Sequence, residues 1–307
     1  MPSILNHSVE LRHLLYFQAV AQHGSFTRAA AVIGLRQPTL SQQIHQMERT
    51  LGVPLFDRAK RRCRLTSAGE MLLPYVRRVL AEMENLRSSL DDLSELKRGS
   101  LTVAVLPSVT HRLLPLALER FRENFGGIRM KIQEMSVDEM ERALVAGTVE
   151  LGIGCVPPAE TSLRGQSLYA EELVAVVGAD DPAGKQPAIT VEDLARRSLL
   201  APPPGYGTRT LLLKAFAKVR RPPVLALELS SVDVLLHMIA ASGGTGIVPA
   251  SALWGRASRD YAVVRIVRPA LRRQIGFLSL HGAHTRPAAE AFMPIVKAVA
   301  KALAEKS

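Results

Sequence analysis

Apolar residues recur at helical spacing through the first fifty positions, and the polar residues between them carry as much information. Leu14, Phe17, Val20 and Ala21 share one face of residues 11–23 and predict a helix that Gly24 ends. Ser25 suits the N-cap of a short second helix over 26–33, where Ala29, Ala30 and Ala31 let another helix cross closely. Gly34 permits a turn, and Pro38 fits the first turn of a third helix over 36–51. On that helix Leu40, Ile44, Met47 and Leu51 form an apolar stripe, while Thr39, Gln42, Gln43 and Gln46 point away from it. A face of amides and hydroxyls both donates and accepts hydrogen bonds, which suits reading base edges in a DNA major groove. By itself this stripe is equally an ordinary amphipathic surface helix; its neighbours decide.

Two short extended runs, 53–58 and 63–66, flank a basic tip and predict a β-hairpin wing. Residues 1–66 hold nine Lys and Arg against three acids, and five of the nine fall within 58–64. Such a cluster is usually a solvated surface, but beside a polar-faced third helix it fits phosphate or minor-groove contact. Next, Leu72, Val76, Val79, Met83, Leu86, Leu90 and Leu93 repeat at alternating spacings of 4 and 3 over a long helix, 67–96. This heptad seam needs a partner helix, most simply from a second copy; the chain's own next domain is the alternative. Lys97-Arg98-Gly99-Ser100 reads as a hinge.

From Leu101 the pattern changes to short β-runs alternating with helices. Strands are expected at 101–105, 128–132, 149–153, 173–177, 199–201, 224–229, 246–248 and 275–280, with helices near 112–125, 137–146, 208–219, 232–241 and 287–304. That alternation predicts mostly parallel sheets covered by helices. Ligands in such sheets bind beyond strand carboxyl ends, at helix starts. Ser108 and Thr110 follow the first strand and Ser136 the second; Pro203 to Arg209 and Ser230-Ser231 open later helices. For any one of these hydroxyls N-capping is the simpler role. Together they favour an anion, with Arg209 able to pair with a carboxylate.

The chain's 307 residues predict two or three domains, and 47% hydrophobic content is enough to give them cores. Net charge is +11 and densest at the amino-terminal end, as nucleic-acid binding requires. The start has neither a basic stretch nor an apolar core, so no signal peptide is expected. The uncharged run 234–255 is interrupted by Gly243-Gly244-Thr245-Gly246 and Pro249, which argues against a membrane span. Two cysteines, Cys63 and Cys155, make no disulfide framework and fit a reducing cytoplasm. Split between the two halves, they argue against a two-thiol redox switch. No Gly-x-x-x-x-Gly-Lys-Ser/Thr, His-Glu-x-x-His, Gly-x-Ser-x-Gly or Cys-x-x-Cys occurs. Ser108 with His111 lacks a recognisable acid, and His281 with His284 lacks further ligands, so neither an enzyme nor a metal or cofactor site is expected.

Ser25-Phe26-Thr27-Arg28-Ala29-Ala30, Gln37 to Ile44, Leu51 to Arg58 and Leu65-Thr66-Ser67-Ala68-Gly69 resemble, in order and spacing, the amino-terminal signature of LysR-type transcriptional regulators. Weaker likeness continues through Glu134-Met135-Ser136, Gly147 to Ile153 and Gly246-Ile247-Val248-Pro249 to that family's effector domain, and along the whole chain it is nearest to the cyanate-operon subgroup. The resemblance implies an α/β protein in three parts. These are a winged helix-turn-helix (1–66), a dimerising linker helix (67–96) and an effector domain like periplasmic solute-binding proteins (97–307), with subdomains 100–168 plus 270–307 and 169–269. It implies DNA contacts from Ser25, Thr27, Arg28, Gln37, Pro38, Thr39, Ser41, Gln42, Arg58, Arg62 and Arg64, with Arg58 reaching the minor groove; the family often has Arg where this chain has Gln42. Effector contacts are expected from Ser108, Val109, Thr110, Ser136, Val156, Pro203, Tyr206, Thr208, Arg209, Ser231 and Ile247. The expected partners are a promoter inverted repeat, a second copy or a homotetramer, RNA polymerase, and a small anionic effector. A ligand-independent architectural DNA-binding protein is the alternative.

Overall fold

The computed structural model describes residues 9–57, 63–92, 99–256, 259–282 and 285–305. They fall into two compact units, Met1–Ser88 with Val145–Thr148, and Ser89–Leu144 with Val149–Ser307. Among the described residues no helix is long and apolar enough to cross a membrane.

The first unit contains α1 (Leu11–His23), α2 (Phe26–Val32), α3 (Gln37–Leu51), the hairpin β1 (Phe56–Asp57) and β2 (Arg64–Leu65), and α4 (Ser67–Asp92) as far as Ser88. Its caps are local chemistry. Ser25 accepts from the Arg28 amide at the start of α2, and Gly24 and Gly52 end α1 and α3 in the left-handed region. Phe17, Val20, Ala29, Ala30, Leu40, Ile44, Met47, Leu55, Phe56 and Val76 form one core. Phe56 is gripped by Phe17 at 5.3 Å and edge-on by Phe26 at 5.6 Å. Gly69 lets α4 close on the chain entering the wing, because a Cβ there would lie 2.3 Å from the Leu55 carbonyl oxygen.

The third helix departs from the expected stripe in three places. Leu51 is exposed, and Glu48 takes the inward position at that end. Its carboxylate accepts from the Leu55 amide (2.8 Å) and the Phe56 amide (3.1 Å), satisfying two buried donors and tying the wing to α3. Gln43 does not face solvent freely; its Oε1 lies 3.1 Å from Nε2 of buried His13, whose Nδ1 accepts from the Glu10 amide.

The linker seam is also divided. Val76 is buried and Leu72 packs beside it, both in the unit's own core. Val79, Met83 and Leu86 are exposed, and with Met71 and Tyr75 they make an open apolar stripe. The Leu90 side chain, Leu93 and the Lys97-Arg98 part of the expected hinge lie outside what is described. Gly99 and Ser100 are strand rather than hinge.

The second unit begins with β3 (Gly99–Val105), α5 (Pro107–Thr110), α6 (Leu113–Asn124), β4 (Ile128–Glu134), α7 (Val137–Val145), β5 (Leu151–Val156), β6 (Leu163–Gly178) and β7 (Ala188–Thr190). It continues with α8 (Val191–Leu194), β8 (Ser198–Ala201), α9 (Gly207–Lys218), β9 (Val224–Glu228), α10 (Val232–Ser242), β10 (Thr245–Pro249), β11 (Tyr261–Val267), β12 (Arg272–Leu280) and α11 (Pro287–Ala304). The strands run in the order β4-β3-β5-β12-β6-β10-β8-β9, with β11 joining β6 to β7. The sheets are mixed, not mostly parallel. β3 pairs parallel with β4 and β5, and β8 with β9 and β10, but β12 and β10 run antiparallel to β6. β6 itself is shared, Leu163–Glu172 pairing with β12 and Leu173–Gly178 with β10 and β11.

Both faces of the second sheet are covered, and strand alternation accounts for this. Leu173, Ala175, Val177, Leu199 and Ile247 point to one apolar cluster, whereas Val174, Val176, Leu200 and Val248 point to the other. On the first sheet α6 and α11 meet through Phe121 and Phe292, edge-on at 5.2 Å.

Glu48→Ala strips two buried amides of their acceptor. Hydrogen exchange at Leu55 and Phe56 should accelerate about 30-fold, the equivalent of roughly 2 kcal/mol of local stability. Unchanged protection there would show that the carboxylate does not hold the wing.

Candidate DNA-reading surface and effector cleft

Gln37, Pro38, Thr39 and Gln42 are exposed on α3, and Ser41 is half-buried. Gln37, Pro38, Ser41, Gln42, His45 and Arg49 line one shallow groove along the helix. Its first turn carries no acid, so the helix start is electropositive and suited to a phosphate. Thr27 and Arg28 are exposed in the first turn of α2, Ser25 is half-buried as its cap, and Arg64 is exposed on β2. Arg58 and Arg62 lie outside the described residues. Glu48 and Gln43 were the residues that periodicity placed wrongly or left out. A carboxylate one residue past Met47 and three before Leu51 is the signal that could have flagged the first.

In the second unit a cavity of ≈30 Å³ lies between the start of α5, the start of α9 and strand β10. That is room for one or two waters. Its walls are largely apolar, including Leu106, Pro202, Leu229, Leu235 and Ile247; Ser108, Tyr206, Thr208 and Ser230 add hydroxyls, and Arg273 is the one charged wall residue. Arg273 is buried on β12, directly opposite Glu171 on β6. Its Nε donates to Glu171 Oε1 at 2.8 Å, its Nη2 donates to Ser108 Oγ at 2.6 Å, and its Nη1 reaches Thr208 Oγ1 at 3.4 Å. The other Glu171 oxygen accepts from the Ser251 amide at 2.9 Å. Burial opposes the guanidinium's charge, but the adjacent Glu171 carboxylate prevails and raises its pKa above the usual arginine value.

The expected effector residues are distributed unevenly around this cavity. Ser108, Tyr206, Thr208 and Ile247 line it. Val109 is buried on the inner side of α5, and the Thr110 hydroxyl donates to the Pro107 carbonyl. Ser136 caps α7 in a reciprocal box with Glu139, holding that carboxyl below its usual pKa. Ser231 caps α10 through the Val234 amide, and it is Ser230 that faces the cavity. Pro202 lines the cavity in place of Pro203, and Val156 is not among the lining residues. Arg209 is neither solvated nor turned to the cavity: it is buried, pairing with Glu228 at 2.9 Å and donating to the Pro202 carbonyl at 3.3 Å.

Arg273 and Glu171 escape the apolar pattern because the apolar run of that strand starts only at Ile275, whereas β12 begins at Arg272. The available signal was an acidic pair, Glu171-Glu172, opposite a basic pair, Arg272-Arg273, on neighbouring strands. Cys155, placed after a strand from the sequence, lies within β5 and is half-buried; burial pushes its thiol pKa up, keeping it protonated near neutrality. Ser108 is engaged by Arg273, while His111 has its pKa lowered by burial and by Arg256. Among the described residues no cluster suits a metal ion.

A winged helix-turn-helix joined to a two-sheet α/β half with a cleft at its helix starts defines a DNA-binding regulator carrying an effector-binding domain. Residues 11–70 match the family model described as bacterial regulatory helix-turn-helix protein, lysR family, and residues 94–301 match the LysR substrate binding domain. The chain belongs to the LysR family of transcriptional regulators. The Hca operon transcriptional activator HcaR of Escherichia coli (strain K12) is 31% identical over 243 residues, 78% of this chain and 82% of that one. The regulator CbbR of Rhodospirillum rubrum is 29% identical over 292 residues, covering 95% and 97%. Full-length CbnR, crystallised with its target DNA, superposes with a TM-score of 0.69 at 26% identity over 95% of this chain and 100% of that one. These relatives are transcriptional regulators, not enzymes.

Gly207 opens α9 against Cys155; a Cβ there would sit 2.7 Å from the sulfur. Gly207→Ala should cost about 1–3 kcal/mol in urea unfolding followed by the single tryptophan, Trp254, and adding Cys155→Ala should recover most of it. Additive losses in the double variant would contradict the contact.

Proposed function

We propose that this regulator binds the region upstream of a target operon as a dimer or a pair of dimers, each copy laying α3 in a major groove. The observation that carries the reading is the division of α3 into a core-facing side and an outward side of Gln37, Thr39, Ser41 and Gln42. Arg64 and the wing residues Arg58 and Arg62 add phosphate or minor-groove contacts, with Ser25, Thr27, Arg28 and Pro38 fixing the approach. Support also comes from CbnR, a relative crystallised with target DNA. The open stripe Met71, Tyr75, Val79, Met83 and Leu86 on α4 supplies the dimer contact, and the domain limits 1–66, 67–96 and 97–307 follow from this division of labour. Two copies would present reading helices about one DNA turn, roughly 34 Å, apart on an imperfect inverted repeat. The protein acts in the cytoplasm, with RNA polymerase as a further partner.

A small anion in the cleft of the second unit alters subdomain geometry and hence the bend or spacing of bound DNA, through its unequal affinity for the two arrangements. The nearer likeness to the cyanate-operon subgroup rests on the Glu134–Ser136 region and names no effector. A ligand-independent architectural role is the second reading, favoured by a cavity of only ≈30 Å³.

Replacing Gln37 and Ser41 together by alanine should abolish preference for the protein's own upstream region over random duplex. Arg58→Ala should instead weaken binding to all sequences and lower the salt slope by about one. Unaltered footprints and salt slopes in both variants would refute the assignment.

A further inference from the structure

We propose that Arg273 recognises the effector, and that the effector is a monocarboxylate with an apolar body that takes over the guanidinium donors now spent on Ser108 and Thr208. The inference rests on the reading of the cleft as an effector site and specifies its chemistry. Arginine offers five N–H donors. Here Nε and one Nη2 proton serve Glu171, the second Nη2 proton serves Ser108, Nη1 reaches Thr208 at 3.4 Å, and the guanidinium also bonds the Cys155 side chain. The Thr208 contact is the longest of the measured ones, so the Nη1 donor is the one most readily exchanged for a carboxylate. Ser108 and Thr208 accept from Arg273, so their own hydroxyl protons remain to be given to a carboxylate entering between them.

The charge balance limits the ligand. Arg273 is the sole charged residue of the wall, and Glu171 already offsets it. One carboxylate can be held by Nη1, two hydroxyls and the start of α9, a twelve-residue helix whose cap Tyr206 makes no side-chain hydrogen bond to it. A second carboxylate would lie against Leu106, Leu235 and Ile247 without a partner, at the full cost of desolvation. The apolar walls suit a hydrocarbon body instead.

Size links recognition to response. A cavity of ≈30 Å³ cannot hold such a molecule until the cleft widens. Ser108 belongs to α5 beside the first sheet and Thr208 to α9 beside the second, and Arg273 now ties them directly. A carboxylate inserted into that tie separates the two helix starts, so binding and geometry change together.

The test measures, on the full-length protein, affinities for monocarboxylates of two to six carbons, their neutral amides and succinate, by calorimetry. The wild-type protein should bind the branched or longer acids at least about tenfold more tightly than their amides or succinate. Arg273→Gln should remove the preference for acid over amide. Glu171→Gln, which deletes the competing carboxylate, should tighten acid binding about tenfold and leave amide binding unchanged. Both variants break the same ion pair, so a purely structural pair predicts shifts in the same direction; that result, or equal binding of acid and amide by the wild type, overturns the proposal. If either variant fails to fold by near-ultraviolet circular dichroism, Ser108→Ala decides, with acid affinity expected to fall about tenfold and unchanged affinity overturning the proposal. Binding of none of the acids alongside intact sequence-selective DNA binding would sink this inference and leave the DNA-reading role standing. Loss of DNA selectivity in the wild type would sink the function itself.

Discussion

A helix that reads DNA must be fastened to its domain from behind while its front stays polar, and α3 meets that demand along a single fifteen-residue segment. Leu40, Ile44 and Met47 dissolve one side in the core, and Glu48 bonds the same side to the wing's backbone. A buried carboxylate is costly unless its oxygens are partnered; here two amides serve Oε1 and His45 Nδ1 lies 3.2 Å from Oε2, and the cost becomes positional precision for the basic hairpin. His13 adds a second brace by engaging Gln43. With α3 and wing held as one piece, the remaining outward groups act as a rigid pattern of donors and acceptors, which sequence discrimination requires.

The other half is organised around a second satisfied charge. Arg273 and Glu171 face one another on antiparallel strands near the point where β6 passes from one sheet to the other. Breaking such a buried pair is expensive, since the remaining ion loses its partner. Each member also bonds groups outside the pair, Ser108, Thr208 and the Ser251 amide, so the strand crossing and the walls of the cleft share one network. A ligand that competes within that network acts where the two sheets meet, which is the mechanical advantage of placing the charge there.

Much of this was legible in the sequence for reasons that are local. The caps Ser25 and Ser231, the glycine stop at 24 and the stripe Leu40-Ile44-Met47 depend on neighbours within a few residues, and the structure has them where spacing put them. What stayed hidden depends on partners distant in sequence. Leu72 and Val76 look like part of a dimer seam until α1 and the wing are packed against them. The polar first half of β6, which lacks an apolar run, is a strand because β12 pairs with it. Arg209 looked like a free anion binder because Glu228 lies on the next strand over. Arg273 and Glu171 could be read only as a pair, across roughly a hundred residues, so neither drew notice alone.

The central claim is that the outward side of α3 distinguishes one DNA sequence from another, and a direct measurement is the affinity of the unmodified full-length protein for the duplex upstream of its own gene against a scrambled duplex of equal length and composition. At physiological salt the native duplex should bind at least about a thousandfold more tightly, with both affinities falling as salt rises. Equal affinities for the two duplexes across the salt range would contradict the claim.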